Sequence, residues 1–181
     1  MKHALKFGAI AGLVMVSSWW LGQSFFAPEA GESIDMSKTE VLGYITMFLA
    51  LIAVFVGVKD ARDKTGDDDA YTFGTAFKLG LNIVFVASLI YVIGWMIYYP
   101  NFMPDFMDQY TAAQMQSHQE AGLSEAEIMV KQEEMDAWVE MYENPFIMAG
   151  LTFMEFFPIG LIGALLSAAI LRRSCGESEK G

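Results

Sequence analysis

FIMAGLTFMEFFPIGLIGALLSAAIL, residues Phe146–Leu171, has Glu155 as its only ionisable side chain. Wound as a helix at about 1.5 Å per residue, it is roughly 39 Å long. That is enough to cross a hydrocarbon core of about 30 Å with room to tilt. Three further stretches read the same way. Phe7–Ala27 and Val41–Val58 carry no charge, and Phe73–Tyr99 carries only Lys78. In lipid, a helix is how such a segment satisfies its own backbone. Four such runs in 181 residues leave too little polar chain to cover them in water. The expectation is an all-α, integral membrane four-helix bundle forming a single domain over 1–181, with spans at about 5–27, 41–58, 73–99 and 146–171. The lipid bilayer is the first partner this implies.

Charge and aromatic placement orient the spans. Lys2, Lys6, Lys59, Arg62, Lys64, Lys78, Arg172, Arg173 and Lys180 fall at one side of the four runs, and only Lys38 and Lys131 fall at the other. Cytoplasmic loops collect Lys and Arg, so both termini of this multi-pass membrane protein are expected in the cytoplasm. Trp19, Trp20, Phe25, Phe26, Tyr44, Trp95, Tyr98 and Tyr99 lie at the opposite ends, where amphipathic rings suit the interface. A competing reading of the first run is a cleaved signal peptide ending near Ala27-Pro28-Glu29-Ala30. The run is long for that role, and Trp19 and Trp20 are bulky where a cleavage region turns small.

The net charge of −11 conflicts with 54% apolar residues and a mean hydropathy of +0.35 until it is mapped. Segment 100–145 holds Asp105, Asp108, Glu120, Glu125, Glu127, Glu133, Glu134, Asp136, Glu140 and Glu143 against Lys131. It accounts for most of the excess. The acidic balance excludes nucleic acid as a main partner, because phosphate binding needs a basic face. The segment reads as an extracytoplasmic helical hairpin between helices 3 and 4. Pro104 suits the first turn of one helix, Ala121-Gly122 its stop, and Ser124-Glu125-Ala126-Glu127 a capping box for the next. That second helix puts Ile128, Met135, Trp138 and Tyr142 on one stripe, with Val139 beside it, expected against the bundle top or the interface. Asn144-Pro145 starts the last span. Ser37-Lys38-Thr39-Glu40 reads as a capping box opening helix 2. The acids of the second connection, Asp67-Asp68-Asp69 among them, lack the ligand alternation of a calcium loop and read as a solvated turn.

Glu155 is the strongest candidate for chemistry. It lies about nine residues, roughly 13 Å, into its helix, where an ionisable group suggests function. Pro158 frees the Met154 carbonyl and is expected to kink the helix beside it, with Gly160 one step on. Antiparallel registration brings Ser17, Ser18, Thr46, Ser88 and Tyr91 to a similar depth, a set that could serve a relay. The plainer role is hydrogen-bonded glue between helices. Lys78 can snorkel to the cytoplasmic interface. Asn82, one turn further in, is expected to hydrogen-bond to another helix. Gly8 and Gly12, Ala53 and Gly57, and Gly160, Ala164 and Ala168 mark close-packing faces, within one chain by default. No catalytic constellation, cofactor box or metal site is expected: His118 is isolated and Cys175 is the single cysteine.

Three stretches carry a resemblance: Phe55-Val56-Gly57-Val58-Lys59-Asp60-Ala61-Arg62-Asp63, Phe73-Gly74-Thr75-Ala76-Phe77-Lys78-Leu79-Gly80, and Thr152-Phe153-Met154-Glu155-Phe156-Phe157-Pro158-Ile159-Gly160-Leu161. They resemble those of a bacterial membrane family, the domain-of-unknown-function family 4199, over about Leu5 to Leu171. The resemblance implies a four-helix inner-membrane protein, makes Lys78, Glu155, Pro158 and Gly160 family features, and supplies no activity. The expected function is structural, accessory or partner-binding, with a membrane protein or a second copy as partner. The alternative is a small proton- or cation-coupled transporter built around Glu155. An enzyme is not expected.

Overall fold

The computed structural model describes residues 1–26, 36–66 and 70–172, with side chains described for all of these except 23–26 and 36–40. The readings placed on Phe25, Phe26, 27–30, the side chains of Ser37, Lys38 and Glu40, 67–69, Arg173, Cys175 and Lys180 lie outside the described residues. Among those described, the chain forms six α-helices and no strand: α1 Lys2–Phe26, α2 Met36–Asp63, α3 Phe73–Phe102, α4 Phe106–Glu120, α5 Glu125–Glu143 and α6 Pro145–Leu171. α1, α2, α3 and α6 are long and apolar enough to cross a membrane. Their outward faces are apolar too: Leu13, Phe48, Ile93, Ile162 and Ile170 are all exposed. Lipid is the solvent that such a surface fits.

The helices outrun the apolar stretches that announce them. α2 continues past Val58 to Asp63 because Lys59–Asp63 and Asp60–Lys64 close i,i+4 ion pairs at 2.9 and 2.8 Å. α3 runs through Pro100, so the outer segment opens after Phe102 rather than at residue 100. Its last turn is held by Asn101 Nδ2 donating to Ile97 O at 2.6 Å and by the Met103 N–H donating to Tyr99 O. α2 begins at Met36, so Ser37 lies inside the helix rather than just before it. Pro104 likewise precedes α4 rather than occupying its first turn, and Asp105 is the capping position.

The remaining local signals act as their chemistry predicts. Ser124 and Glu127 form the reciprocal capping box that opens α5, and those hydrogen bonds hold the Glu127 carboxyl below its ordinary range. Gly122 supplies the positive φ of 77° that ends α4. Asn144 caps α6 by accepting from the Phe146 N–H at 3.0 Å, with Pro145 at the first helical position.

α3 packs along α6 and α1, and α2 packs along α1 and α6, while α2 and α3 meet across the shorter diagonal. The core between them is built from Met15, Val54, Val58, Ile83, Val84 and Phe156. The small-residue faces are used inside this one chain. A Cβ at Gly8 would come within 2.6 Å of Val86, and one at Gly12 within 2.7 Å of Ile90. At Gly57 it would meet Ile83 and Phe7, and at Gly160 it would land on Val84. The steps at Gly8, Gly12, Gly57 and Gly160 therefore join α1 to α3, α2 to α1 and α3, and α6 to α3.

Candidate functional site

Glu155 sits about ten residues beyond Pro145, roughly 15 Å along α6. It is an exposed position at the rim of the bundle with its carboxyl partly covered, on a helix whose inward positions are Thr152, Phe156 and Gly160. Among the described residues, one group hydrogen-bonds to it. The Tyr91 hydroxyl donates to Glu155 Oε2 at 3.1 Å, and Tyr91 itself is only 7% exposed. A phenol rooted in the core thus extends to a carboxyl at the rim. α6 runs through Pro158 as one helix.

The other hydroxyls expected at that depth are turned elsewhere. Ser17 donates to Val14 O, Ser18 to Met15 O, Thr46 to Leu42 O and Gly43 O, and Ser88 to Val84 O. Each is bonded to its own helix three or four residues back, the usual solution for a hydroxyl in an apolar span. Registration by depth placed them near Glu155; rotation about each helix axis directs them to their own carbonyls. Lys78 and Asn82 are also exposed, one turn apart on α3. The helix-to-helix bond expected of Asn82 is not made: among the described residues, neither Lys78 nor Asn82 has a hydrogen-bond or ion-pair partner. The outward direction of this face of α3 is the reason.

Above Tyr91 the aromatic side chains form a connected cluster instead of a ring of separate interface anchors. Trp19 lies 5.1 Å from both Tyr91 and Trp95, and 5.4 Å from Tyr98, measured between ring centroids. Tyr98 donates to Trp19 O at 3.2 Å. Trp95 Nε1 donates to the Tyr142 hydroxyl at 2.6 Å, and Tyr99 meets Tyr142 edge-on. Burial raises the Tyr142 phenol above its ordinary range, so it stays neutral while it accepts from Trp95. This is how α5 is tied down. Tyr142, Ile128, Met135 and Val139 are half-buried, whereas Trp138, expected on the same stripe, is 47% exposed. Sequence reading missed the Trp95–Tyr142 pair, because nothing local marks a contact across 47 residues. Tyr142→Phe keeps the ring but strands the indole N–H. It should raise protease cleavage within α4–α5 about five- to tenfold while leaving the spans' thermal midpoint unchanged. Limited proteolysis in liposomes beside thermal unfolding checks this.

At the end of the bundle that holds the N-terminus, His3 Nε2 and Asp60 Oδ2 are 2.7 Å apart, and the Tyr71 hydroxyl donates to Val58 O at 3.2 Å. These contacts join α1 to α2 and fold the second connection back onto α2. They fix the bundle end and bring no reactive group to Glu155.

Residues 6–173 match the family described as "Protein of unknown function (DUF4199)". Comparison with curated proteins and with solved structures returns no match in either.

Proposed function

The chain belongs to that family of proteins of unknown function, DUF4199, and from this premise we propose that it is an accessory protein of the membrane that holds a membrane-embedded partner and does no catalysis of its own. One observation carries the proposal: Glu155 lies at the rim of the bundle at membrane depth and, among the described residues, accepts from one hydroxyl. An ionisable group facing hydrocarbon is costly and is relieved when a neighbouring helix brings a donor to it. The side chains beside it, Met154 and Ile159, are exposed and apolar, the surroundings a second helix would cover.

The transport reading makes a different demand. A relay for protons or cations requires a polar cavity and a train of hydroxyls through the spans. Ser17, Ser18, Thr46 and Ser88 are committed to their own helices, and Glu155 lies at the outer rim. Partner binding is therefore the reading we take. The cation bias of the loops supports cytoplasmic termini in a bacterial inner membrane, with the acidic α4–α5 hairpin on the outer side.

A photo-crosslinking residue at Met154, in native membranes, tests the proposal. It should give a discrete adduct with an integral membrane protein, reduced about tenfold by Glu155→Leu. A crosslinker at Leu13, exposed on α1 across the bundle from α6, should not give that adduct. Lipid adducts alone from Met154, or a protein adduct indifferent to Glu155, would reject it.

A further inference from the structure

We propose that this protein pairs with a second copy of itself across the outward face of α3, with Asn82 of each copy hydrogen-bonded to Asn82 of the other. The proposal does not rest on the reading of Glu155, which lies on a different helix.

α3 is about 45 Å long, so a hydrocarbon core of about 30 Å leaves roughly 7 Å of helix beyond it at each end. Asn82 is about nine residues from the cytoplasmic end of α3, and so lies roughly 6 Å inside the core. Its amide is exposed and has no partner among the described residues. The other polar side chains of the spans show what a polar group does when it has no need of a neighbour. Asn101 Nδ2 donates to Ile97 O, and Ser17, Ser88, Thr152 and Ser167 each bond a carbonyl of their own helix. Asn82 does not bond back, and an amide left bare in hydrocarbon is expensive.

The chemistry of the amide selects the occupant. A carboxamide carries donors and an acceptor in one plane, so two of them satisfy each other. Two copies of one sequence insert with the same orientation. A two-fold axis along the membrane normal then puts residue 82 opposite residue 82 at one depth. A partner of other sequence would need a matching group at that depth. The face around Asn82 suits the approach: Phe85, Leu89 and Ile93 are exposed and follow it at helical spacing. Lys78 stands one turn toward the cytoplasm, near the edge of the core. Its stem can carry the ammonium out to lipid phosphates and away from its counterpart.

The test uses the full chain with Cys175→Ser. Under mild oxidation in the membrane, Asn82→Cys and Leu89→Cys should give disulfide-linked dimers, and Ile162→Cys on α6 should give none. In liposomes, self-association read by energy transfer during lipid dilution should weaken about fivefold in Asn82→Leu and be restored in Asn82→Gln, which keeps both donor and acceptor. Asn82→Leu is more apolar than the native residue, so loss of insertion does not confuse the result. Absence of crosslinks at 82, equal crosslinking at 162, linkage to a different protein, or unchanged self-association in Asn82→Leu would each overturn the proposal. Glu155→Gln should leave this dimer intact, so failure here and failure of the Glu155 reading are separable.

Discussion

Gly160→Leu should lower the thermal midpoint of the purified protein by about 5–10 °C, while Gly150→Leu on the same helix should shift it little. The difference lies in what each Cβ would meet. At Gly150 nothing stands within 4 Å. At Gly160 the new atom would fall on the Cγ1 of Val84, a side chain with no exposed surface and a branched, rotationally stiff Cβ. Relief requires α3 and α6 to separate. The neighbouring contact of the same pair is also tight, since a Cβ at Gly80 would stand 3.0 Å from Ala164. Overpacking of this kind costs about 1–3 kcal/mol, and each kcal/mol is worth roughly 2–4 °C in a chain of this size. Gly163→Leu gives a graded comparison. Its nearest obstacle is Leu51 Cδ2 at 2.7 Å, the far end of a flexible side chain, so the loss there should be smaller. Thermal unfolding of the three variants in one detergent orders them.

The contrast between Gly160 and Glu155 marks how far the sequence could be read. Apolar run lengths identify four spans because the hydrocarbon core imposes a length on any helix that crosses it. Cap chemistry placed α5 and α6 because Ser124, Glu127 and Asn144 act within a few residues of themselves. Depth was legible as well: Glu155 and Tyr91 were registered at one level, and they are hydrogen-bonded. Rotation about each helix axis was not legible. An all-apolar helix has no polar face to betray its orientation, and which side turns inward is settled by knobs such as Val84 seating on Gly160. The same ambiguity brings Ser17, Ser18, Thr46 and Ser88 to the level of Glu155 without showing that they point elsewhere, and gives Asn82 a partner helix that it lacks among the described residues. Their place at the span ends marks the aromatic residues as interface anchors. Their joining into one cluster under α5 depends on a docking that no local pattern encodes.

The second large effect concerns Glu155 itself. On the proposal that it secures a neighbouring helix, Glu155 acts through a strong hydrogen bond made where water is absent. Glu155→Gln keeps part of that bonding and should reduce the assembled fraction several-fold; Glu155→Leu removes it and should reduce assembly about tenfold. Tyr91→Phe should fall between wild type and Glu155→Leu, because it removes the Tyr91 hydroxyl that holds the carboxyl from within the bundle. None of these changes touches the glycine contacts of the bundle, so folding of the spans should persist.

The central claim is that Glu155 serves assembly and not ion movement. The direct measurement takes wild type and Glu155→Gln side by side, reading proton and cation flux in liposomes and assembled size in native membranes. The account predicts no flux above protein-free liposomes in either and, in Glu155→Gln, a several-fold loss of the complex with the membrane partner while the Asn82 dimer is retained. Flux in wild type that disappears in Glu155→Gln while assembly is unchanged would contradict it.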